Sequence, residues 1–144
     1  MTTVAQILEG KGSQVWSVRP NARVYDALQL MAEKNVGALL VLEGKELKGI
    51  FSERDYARKV ILAGKSSRES TVGEIMSPTV FTVDPEQSVE ECMALMTEQR
   101  VRHLPVVQDE RVLGVISIGD AVKAIISERE FTIEQLQSYI RGSA

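Results

Sequence analysis

The residues best suited to chemistry are two short motifs of the form Ser-x-x-Asp, each preceded by a glycine and two apolar residues. They are GIFSERD at residues 49–55 and GVISIGD at residues 114–120. Where a strand passes into a helix, the free N–H groups of the helix start favour a bound anion, and the carboxylate can accept hydrogen bonds from ligand hydroxyls. The same serine and carboxylate can instead cap their own helix. Both interpretations remain open from the motif alone.

Other reactive residues are scarce, with one cysteine (Cys92) and one histidine (His103). These counts exclude an internal disulfide and a zinc site made of several Cys and His ligands. Cys92 lies on an apolar stripe with Val89 and Met96, which indicates a core residue. The sequence has no phosphate-binding GxxxxGK[ST] or GxGxxG loop and no recognisable Ser-His-Asp frame. We therefore predict no catalytic residues and no enzymatic activity.

Composition and charge exclude further classes of function. The chain has 144 residues, of which 44% are apolar and 26% charged, as is typical of a globular protein. Its net charge of −3, with no basic cluster, excludes nonspecific nucleic-acid binding. The longest apolar run, residues 38–42, is too short to span a bilayer, and residues 1–12 do not look like a signal peptide. We expect a cytoplasmic protein that contacts neither membrane nor nucleic acid.

An internal repeat determines the architecture. Residues 15–61 align without a gap on residues 80–126, a shift of 65 positions that superposes the two Ser-x-x-Asp motifs. The lead-in also repeats, because residues 3–7 resemble residues 71–75 at a shift of 68. One copy alone buries too little surface to be stable, so we expect the two to pack as a pseudo-symmetric pair.

Each copy is predicted to be β-α-β-β-α, which makes the fold class α/β (α+β). The predicted elements of the first copy are strands 15–18, 38–42 and 47–51, a helix beginning at Val24 and a helix over 52–62. Those of the second are strands 80–83, 104–107 and 112–116 and helices 89–99 and 118–126. The predicted division is a helix and lead-in (1–14), repeat 1 (15–62), a connector and lead-in (63–79), repeat 2 (80–127) and an amphipathic C-terminal helix (128–144). The last should cover apolar surface on this protein or on a partner.

The two motifs, their equal spacing and the segment VRHLPVV at residues 101–107 resemble the CBS family, named for cystathionine β-synthase. The resemblance covers nearly all of residues 2–127. It implies two CBS repeats packed as a CBS pair, or Bateman module, without a catalytic domain. In the family, the motif aspartate holds both ribose hydroxyls of an adenosine nucleotide, and each site is built from both repeats.

Carried onto this sequence, the resemblance implies two ligand-binding sites in the cleft between the repeats. The first would contain Ser52, Arg54, Asp55, Pro78, Val80, Phe81, Arg102 and His103. The second would contain Ser117, Gly119, Asp120, Ser13, Val15, Trp16, Gly37 and Ala38. Trp16 and Phe81 are equally well explained as core residues.

Charge distinguishes the two implied sites. Arg54, Arg102 and His103 gather at the first, so we expect it to bind phosphorylated adenosine more tightly. Only Lys11 or Lys123 could supply a cation to the second. The pKa of His103 should fall beside Arg102.

The resemblance implies a non-enzymatic regulatory or sensor protein that binds AMP, ADP, ATP or NAD(H) and requires no cofactor. The alternative is a module for dimerisation or for interaction with a partner, in which the clefts are vestigial. In either case we expect a homodimer, with an unknown regulated enzyme as a possible partner.

Overall fold

The computed structural model describes residues 1–142, and these form two compact units. Unit 1 contains residues 1–13, 82–107 and 114–142, and unit 2 contains residues 14–81 and 108–113. Residues 143–144 of the predicted C-terminal helix lie outside the described residues.

The sequence repeat is also a repeat of structure. Three pairs of elements have bounds that differ by 65 residues: α2 (Val24–Lys34) and α5 (Val89–Gln99), β2 (Ala38–Glu43) and β4 (His103–Gln108), and β3 (Glu46–Ser52) and β5 (Arg111–Ser117). Both helices end on a residue with a left-handed backbone, Asn35 (φ 54°) and Arg100 (φ 56°), as helix C-termini commonly do. The predicted mixture of helix and strand is therefore confirmed.

In unit 2 the strands form a three-stranded sheet in the order β1-β2-β3. β1 (Ser17–Val18) is parallel to β2, and β2 is antiparallel to β3. The continuous apolar run of β2 is buried, and Phe51 of β3 is fully buried in the core beside Val24 and Met31 of α2. β3 ends at Ser52, which is the serine of the first Ser-x-x-Asp motif.

The lead-in segments are exchanged between the copies. α1 (Val4–Lys11), which precedes the first copy, belongs to unit 1 with the second copy, and α4 (Val72–Ile75) belongs to unit 2 with the first copy. Each lead-in makes the same three backbone hydrogen bonds. In unit 1 they are Val4 N to Gln87 O (2.8 Å), Ala5 N to Pro85 O (2.9 Å) and Val89 N to Thr2 O (2.9 Å). In unit 2 they are Val72 N to Ala22 O (2.8 Å), Gly73 N to Pro20 O (2.8 Å) and Val24 N to Ser70 O (2.9 Å).

The motif glycines allow the exchanged lead-ins to approach. A Cβ at Gly49 would lie 2.7 Å from both the Met76 sulfur and the Ser77 carbonyl oxygen, whereas one at Gly114 would lie 2.7 Å from the Leu8 side chain. Each strand therefore needs a residue without a side chain where the other copy's lead-in crosses it.

Two predicted elements differ from the structure at the first strand of each copy. Strand 15–18 is reduced to Ser17–Val18, and strand 80–83 is absent except for a single parallel bridge between Val83 and Val106. Val83 alone pairs with the middle strand, through Val83 N to Pro105 O (3.0 Å) and Val107 N to Val83 O (2.8 Å).

The helices that follow the motifs also differ from the prediction and from each other. In unit 2, α3 (Glu53–Tyr56) continues as a π-helical turn over Ala57–Ile61, and Gly64 follows in the left-handed conformation (φ 70°). In unit 1 the position equivalent to Gly64 is Arg129, and α6 (Ile118–Gly142) continues without a break. The predicted helix 118–126 and the predicted C-terminal helix are thus one helix of 25 residues.

The close approach at Gly49 gives a testable difference between glycines. Gly49→Ala should lower the free energy of unfolding by about 1–3 kcal/mol, because the new methyl group meets a backbone carbonyl that cannot turn away. Gly114→Ala should cost less, since Leu8 can change rotamer. Gly10→Ala, in α1 with open space around it, should stabilise by about 0.5–1 kcal/mol. Urea unfolding measures the free energy of unfolding of the three variants. Equal changes in Gly49→Ala and Gly10→Ala would contradict the prediction.

Candidate functional site

The first motif places Asp55 at the start of α3, where it is 8% exposed. Its Oδ2 accepts hydrogen bonds from the backbone N–H (3.0 Å) and the hydroxyl (3.1 Å) of Ser52, while the Ser52 hydroxyl accepts from the Asp55 N–H (3.2 Å). Its Oδ1 accepts from the hydroxyl of Ser77 (3.0 Å) and forms an ion pair with Lys59 (3.3 Å). Both carboxylate oxygens of Asp55 are therefore occupied by groups of unit 2.

The second motif places Asp120 in the first turn of α6 with a different set of partners. Its Oδ2 accepts from the backbone N–H of Ser117 (2.8 Å) and from Lys11 of α1 (2.6 Å). Lys11 also donates to the carbonyl oxygen of Val115 (2.8 Å). Both of the bonds to Asp120 end on Oδ2, and the Ser117 hydroxyl also bonds to the carboxylate. Oδ1 is thus an oxygen that neither Lys11 nor the Ser117 N–H engages.

Capping accounts for part of both motifs. In each copy, the serine hydroxyl accepts from the aspartate N–H and the aspartate accepts from the serine N–H. This is a capping box with aspartate in the third helical position. The two interpretations that the sequence left open are compatible at Asp120, whereas at Asp55 capping and the bonds from Ser77 and Lys59 engage the whole carboxylate.

The two carboxylates also differ in exposure and charge. The Asp120 side chain is 21% exposed and that of Asp55 is 11% exposed. Burial acts to raise the pKa of Asp120, but the hydrogen bonds from Lys11 and Ser117, together with the charge of Lys11, outweigh it and lower this pKa below its ordinary value. Asp120 is therefore ionised at neutral pH, with its charge partly balanced by Lys11.

His103 lies in the same electrostatic environment as Asp120. Its pKa is lowered by burial first and by the charge of Lys11 second, with a smaller lowering from Arg102 and an opposing effect of Asp120. The direction agrees with the sequence expectation, but burial and Lys11 contribute more than Arg102. His103 is neutral at pH 7 and supplies a hydrogen-bonding ring instead of a positive charge.

The residues that start the middle strands lie beside the motif of their own copy. The carbonyl oxygen of Gly37 accepts from the N–H of Glu53 (3.1 Å), and that of Arg102 accepts from the N–H of Ile118 (2.8 Å). Ala38 pairs with Ser52 across β2 and β3. Backbone groups next to both Ser-x-x-Asp turns are thus fixed by the strands.

The division into units separates the members of each implied site. Of the first site, Ser52, Arg54, Asp55, Pro78, Val80 and Phe81 belong to unit 2, and Arg102 and His103 to unit 1. Of the second, Ser117, Gly119, Asp120 and Ser13 belong to unit 1, and Val15, Trp16, Gly37 and Ala38 to unit 2. Assembly of these residues across the repeats stays a prediction.

Aromatic and apolar members of the implied sites have structural roles within unit 2. Trp16 is partly buried against the core, and the Lys34 ammonium lies 4.5 Å from its ring centroid. A pocket of about 320 Å³ in the same unit is lined by Leu28, Met31, Ala32, Asn35, Val36, Gly37 and Glu53. Asp55 is not among its lining residues, so this pocket is separate from the motif carboxylate.

Sequence reasoning missed Lys59 and Ser77 as partners of Asp55. Lys59 could have been found, because it stands four residues after Asp55 on a helix, the spacing of an intrahelical ion pair. Ser77 could not, since it belongs to the exchanged lead-in and is 22 residues from Asp55. Of the two lysines considered for the second motif, the structure places Lys11 at Asp120.

Cys92 is fully buried, and burial together with Glu91, Asp84 and Glu90 raises the pKa of its thiol to about 11. A thiol of this kind stays protonated and does not act as a nucleophile at neutral pH. Within residues 1–142 no group of three or more His, Cys, Asp or Glu side chains is placed to hold a metal ion. Over the same residues, no helix combines the length and apolar character needed to cross a membrane.

The family model described as "CBS domain" matches residues 12–61 and 72–127. These segments cover most of the chain and contain both motifs, and the protein therefore belongs to the CBS domain family. The fold expected from the resemblance, a pair of CBS repeats, is confirmed.

Known relatives support this assignment. The chain is 41% identical to the mitochondrial CBS domain-containing protein CBSX3 of Arabidopsis thaliana, over 98% of this chain and 73% of the relative. A protein with CBS domains from Burkholderia ambifaria MC40-6 has a solved structure at 54% identity with a TM-score of 0.85, covering 88% of this chain and 95% of that one. The CBS pair of MJ0100, solved with 5′-methylthioadenosine and S-adenosyl-L-methionine, is 23% identical with a TM-score of 0.78 over 89% of this chain and 98% of that one, and bears on the fold alone.

Removal of the Lys11 charge should have a pH-dependent effect on stability. Because the folded-state pKa of Asp120 is lowered, its contribution is present above the unfolded pKa and is lost as pH falls through the folded pKa. Lys11→Met should therefore destabilise at pH 7, by about 1 kcal/mol after solvent screening, and the difference from the parent protein should shrink towards about pH 3.

Lys48→Met is the matched control for this experiment. Lys48 and Lys11 both have side chains 36% exposed, but the partner of Lys48, Glu46, is 71% exposed. The control should change stability little at either pH, as is usual for surface ion pairs. Urea unfolding at both pH values decides the matter, and a loss in Lys11→Met that does not vary with pH would show that Asp120 is not its partner.

Proposed function

We propose that this protein is a non-enzymatic regulatory protein that binds an adenosine nucleotide through its CBS motifs. The ligands we expect are AMP, ADP, ATP or NAD(H), with no cofactor required. Membership of the CBS family supports the regulatory role and the absence of catalysis. The state of the reactive side chains agrees with the proposed absence of catalysis, because Cys92 is buried with a raised pKa and His103 is neutral.

The single observation that carries the proposal is the state of Asp120. Its carboxylate is ionised and partly exposed, and both Lys11 and the Ser117 N–H bind it through Oδ2. A cis-diol presents two adjacent O–H donors, and a fixed carboxylate with an available oxygen is a suitable acceptor for them. Because the carboxylate is already positioned, little conformational entropy is lost when the ribose binds.

Lys11 suits this motif to a phosphorylated ligand. It balances the charge of Asp120, so an incoming phosphate is not repelled by an unpaired carboxylate. Its ammonium group has three N–H donors and uses two of them, on Asp120 and on Val115, which leaves one for a phosphate oxygen.

These contacts favour an order of affinity opposite to the one expected from sequence. That expectation relied on Arg54, Arg102 and His103 at the first site. His103 carries no charge at neutral pH, Lys11 supplies a cation at Asp120, and Asp55 is the more buried carboxylate with both oxygens engaged. We therefore propose that Asp120 holds the tighter nucleotide.

The occupied state of Asp55 supports a second candidate function. If Lys59 and Ser77 hold the carboxylate permanently, the first motif is structural, and the pair acts in part as a module for dimerisation or partner binding. Under either function we propose a homodimer and an enzyme as the regulated partner. The cytoplasmic location expected from sequence stays a prediction.

Substitution of the two aspartates tests the proposal. Asp120→Ala should weaken AMP binding by about 10- to 100-fold, because a hydrogen bond to a charged group contributes about 1.5–3 kcal/mol. Asp55→Ala should change the tightest affinity less and lower the melting temperature more, since it removes a buried acceptor of several hydrogen bonds. Calorimetry with AMP, adenosine and NAD, combined with thermal unfolding, measures both effects.

Melting curves of the parent protein provide the control for ligand binding. A nucleotide at 100 times its dissociation constant should stabilise the fold by about 2.7 kcal/mol per site. If no nucleotide in the panel shifts the melting temperature, the nucleotide proposal fails and the interaction module is the better account. Unchanged affinity in Asp120→Ala with reduced stability would mean that this aspartate only caps its helix.

A further inference from the structure

The C-terminal half of α6 is exposed on all sides along residues 129–141. The beginning of α6 is packed, since Ala121 is fully buried and the helix contacts α1 and α5. From Arg129 to Arg141 every residue is exposed. An isolated helix of this length is marginal in water, because tertiary packing normally supplies most of its stability. The segment therefore has the properties of a helix that is completed by another chain.

The exposed apolar residues of α6 follow a heptad pattern. Spacings of four and three alternate along six positions, which we name the seam: Val122, Ile126, Arg129, Ile133, Leu136 and Ile140. The five apolar members are between 41% and 77% exposed. A repeat of 3.5 residues keeps these positions on one side of a helix, and this pattern is typical of two-helix coiled coils. Phe131, also exposed, lies on the opposite side of the helix.

The polar residues of α6 argue against a membrane as the occupant. The segment from Glu128 to Arg141 contains Glu128, Glu130 and Glu134 against Arg129 and Arg141, so its polar face is not basic. Helices that lie on anionic membranes carry mainly Lys and Arg on that face.

The one charged residue within the seam determines the orientation of a partner helix. In a parallel pair, each seam residue meets its own copy, and two Arg129 guanidinium groups would share a layer. In an antiparallel pair with full overlap, Arg129 instead faces Ile133 of the partner subunit, within one helical turn of Glu130 of the partner subunit and Glu134 of the partner subunit. Opposite charges then replace like charges.

We propose that the seam of α6 is a docking surface for a second copy of this chain, and that two α6 helices pair there as an antiparallel coiled coil. The overlap places Val122 against Ile140 of the partner subunit and Ile126 against Leu136 of the partner subunit. Every seam position then has a partner. The pairing specifies where the homodimer proposed above is held together, and it does not depend on nucleotide binding.

Sedimentation equilibrium of a seam variant tests the surface. The double variant Ile133→Ser, Leu136→Ser should weaken self-association by at least about 100-fold, because each dimer loses four buried aliphatic side chains. Phe131→Ser is the matched control: Phe131 is 61% exposed, against 54% and 58% for the two seam residues, but lies off the seam. It should leave self-association unchanged.

Disulfide cross-linking tests the orientation. Arg129→Cys and Ile133→Cys proteins, one of them carrying a size tag, are mixed and oxidised; Cys92 does not compete because it is buried. The antiparallel pairing predicts a mixed dimer from the two variants together and little dimer from either alone. Cross-linking of Arg129→Cys with itself would overturn the antiparallel arrangement.

Two further outcomes would overturn the proposal. The first is a parent protein that sediments as a monomer at tens of micromolar; if this monomer also binds phosphatidylglycerol vesicles through α6, a membrane is the occupant. The second is a double seam variant that dimerises as well as the parent, which would leave the homodimer intact but place its interface elsewhere. Calorimetry with AMP on the double variant keeps these results separate from the nucleotide proposal.

Discussion

The structure depends on the exchange of the two lead-in segments. Two N–H groups at the start of α1 and of α4 donate to carbonyls that precede the first helix of the other copy, and the first N–H of that helix donates back to the lead-in. This set of three hydrogen bonds is made twice with nearly equal lengths. A helix start leaves several N–H groups without intrahelical partners, and a buried N–H without a partner is costly. Neither copy can therefore complete its own unit, and the fold requires both.

The exchange also builds the candidate sites. Ser77 reaches Asp55 because α4 belongs to unit 2, and Lys11 reaches Asp120 because α1 belongs to unit 1. The glycines at the motif strands, Gly49 and Gly114, are the positions that the lead-ins cross. Without the lead-in of the other copy, Asp55 would keep Lys59 but lose the Ser77 hydroxyl, and Asp120 would lose Lys11. The chemistry of each motif is thus a property of the duplicated chain.

The sequence predicted the elements whose signals are local. The period of apolar residues gave α5 its observed bounds, Val89–Gln99, and the uninterrupted run in β2 identified a buried strand. The strand expected at residues 80–83 is reduced to a single bridge at Val83, although its residue types favour a strand. Helices were expected at 118–126 and at 128–144, but their fusion into one α6 was not, since in the first copy the equivalent helix stops before Gly64, which is left-handed.

In the candidate site, too, the sequence predicted the local contacts and missed the long-range ones. The Ser-x-x-Asp spacing predicted both carboxylates and their capping bonds, because these contacts span three residues. Lys11 and Asp120 are 109 residues apart, and no spacing rule connects them. The sequence could therefore offer Lys11 only as one of two candidate lysines for the second motif. Only the structure shows that a cation lies at Asp120, and this reverses the expected order of affinity of the two motifs.

The make-up of unit 1 has a consequence for how the chain folds as it is synthesised. Unit 2 consists mainly of residues 14–81, which leave the ribosome early and can associate while the rest is being made. Unit 1 combines residues 1–13 with segments that begin at Thr82 and continue to the end of α6. α1, whose buried apolar residues are Val4 and Ile7, stays uncovered until residues beyond Thr82 have been made. During that interval α1 is an exposed amphipathic segment of the kind that chaperones bind.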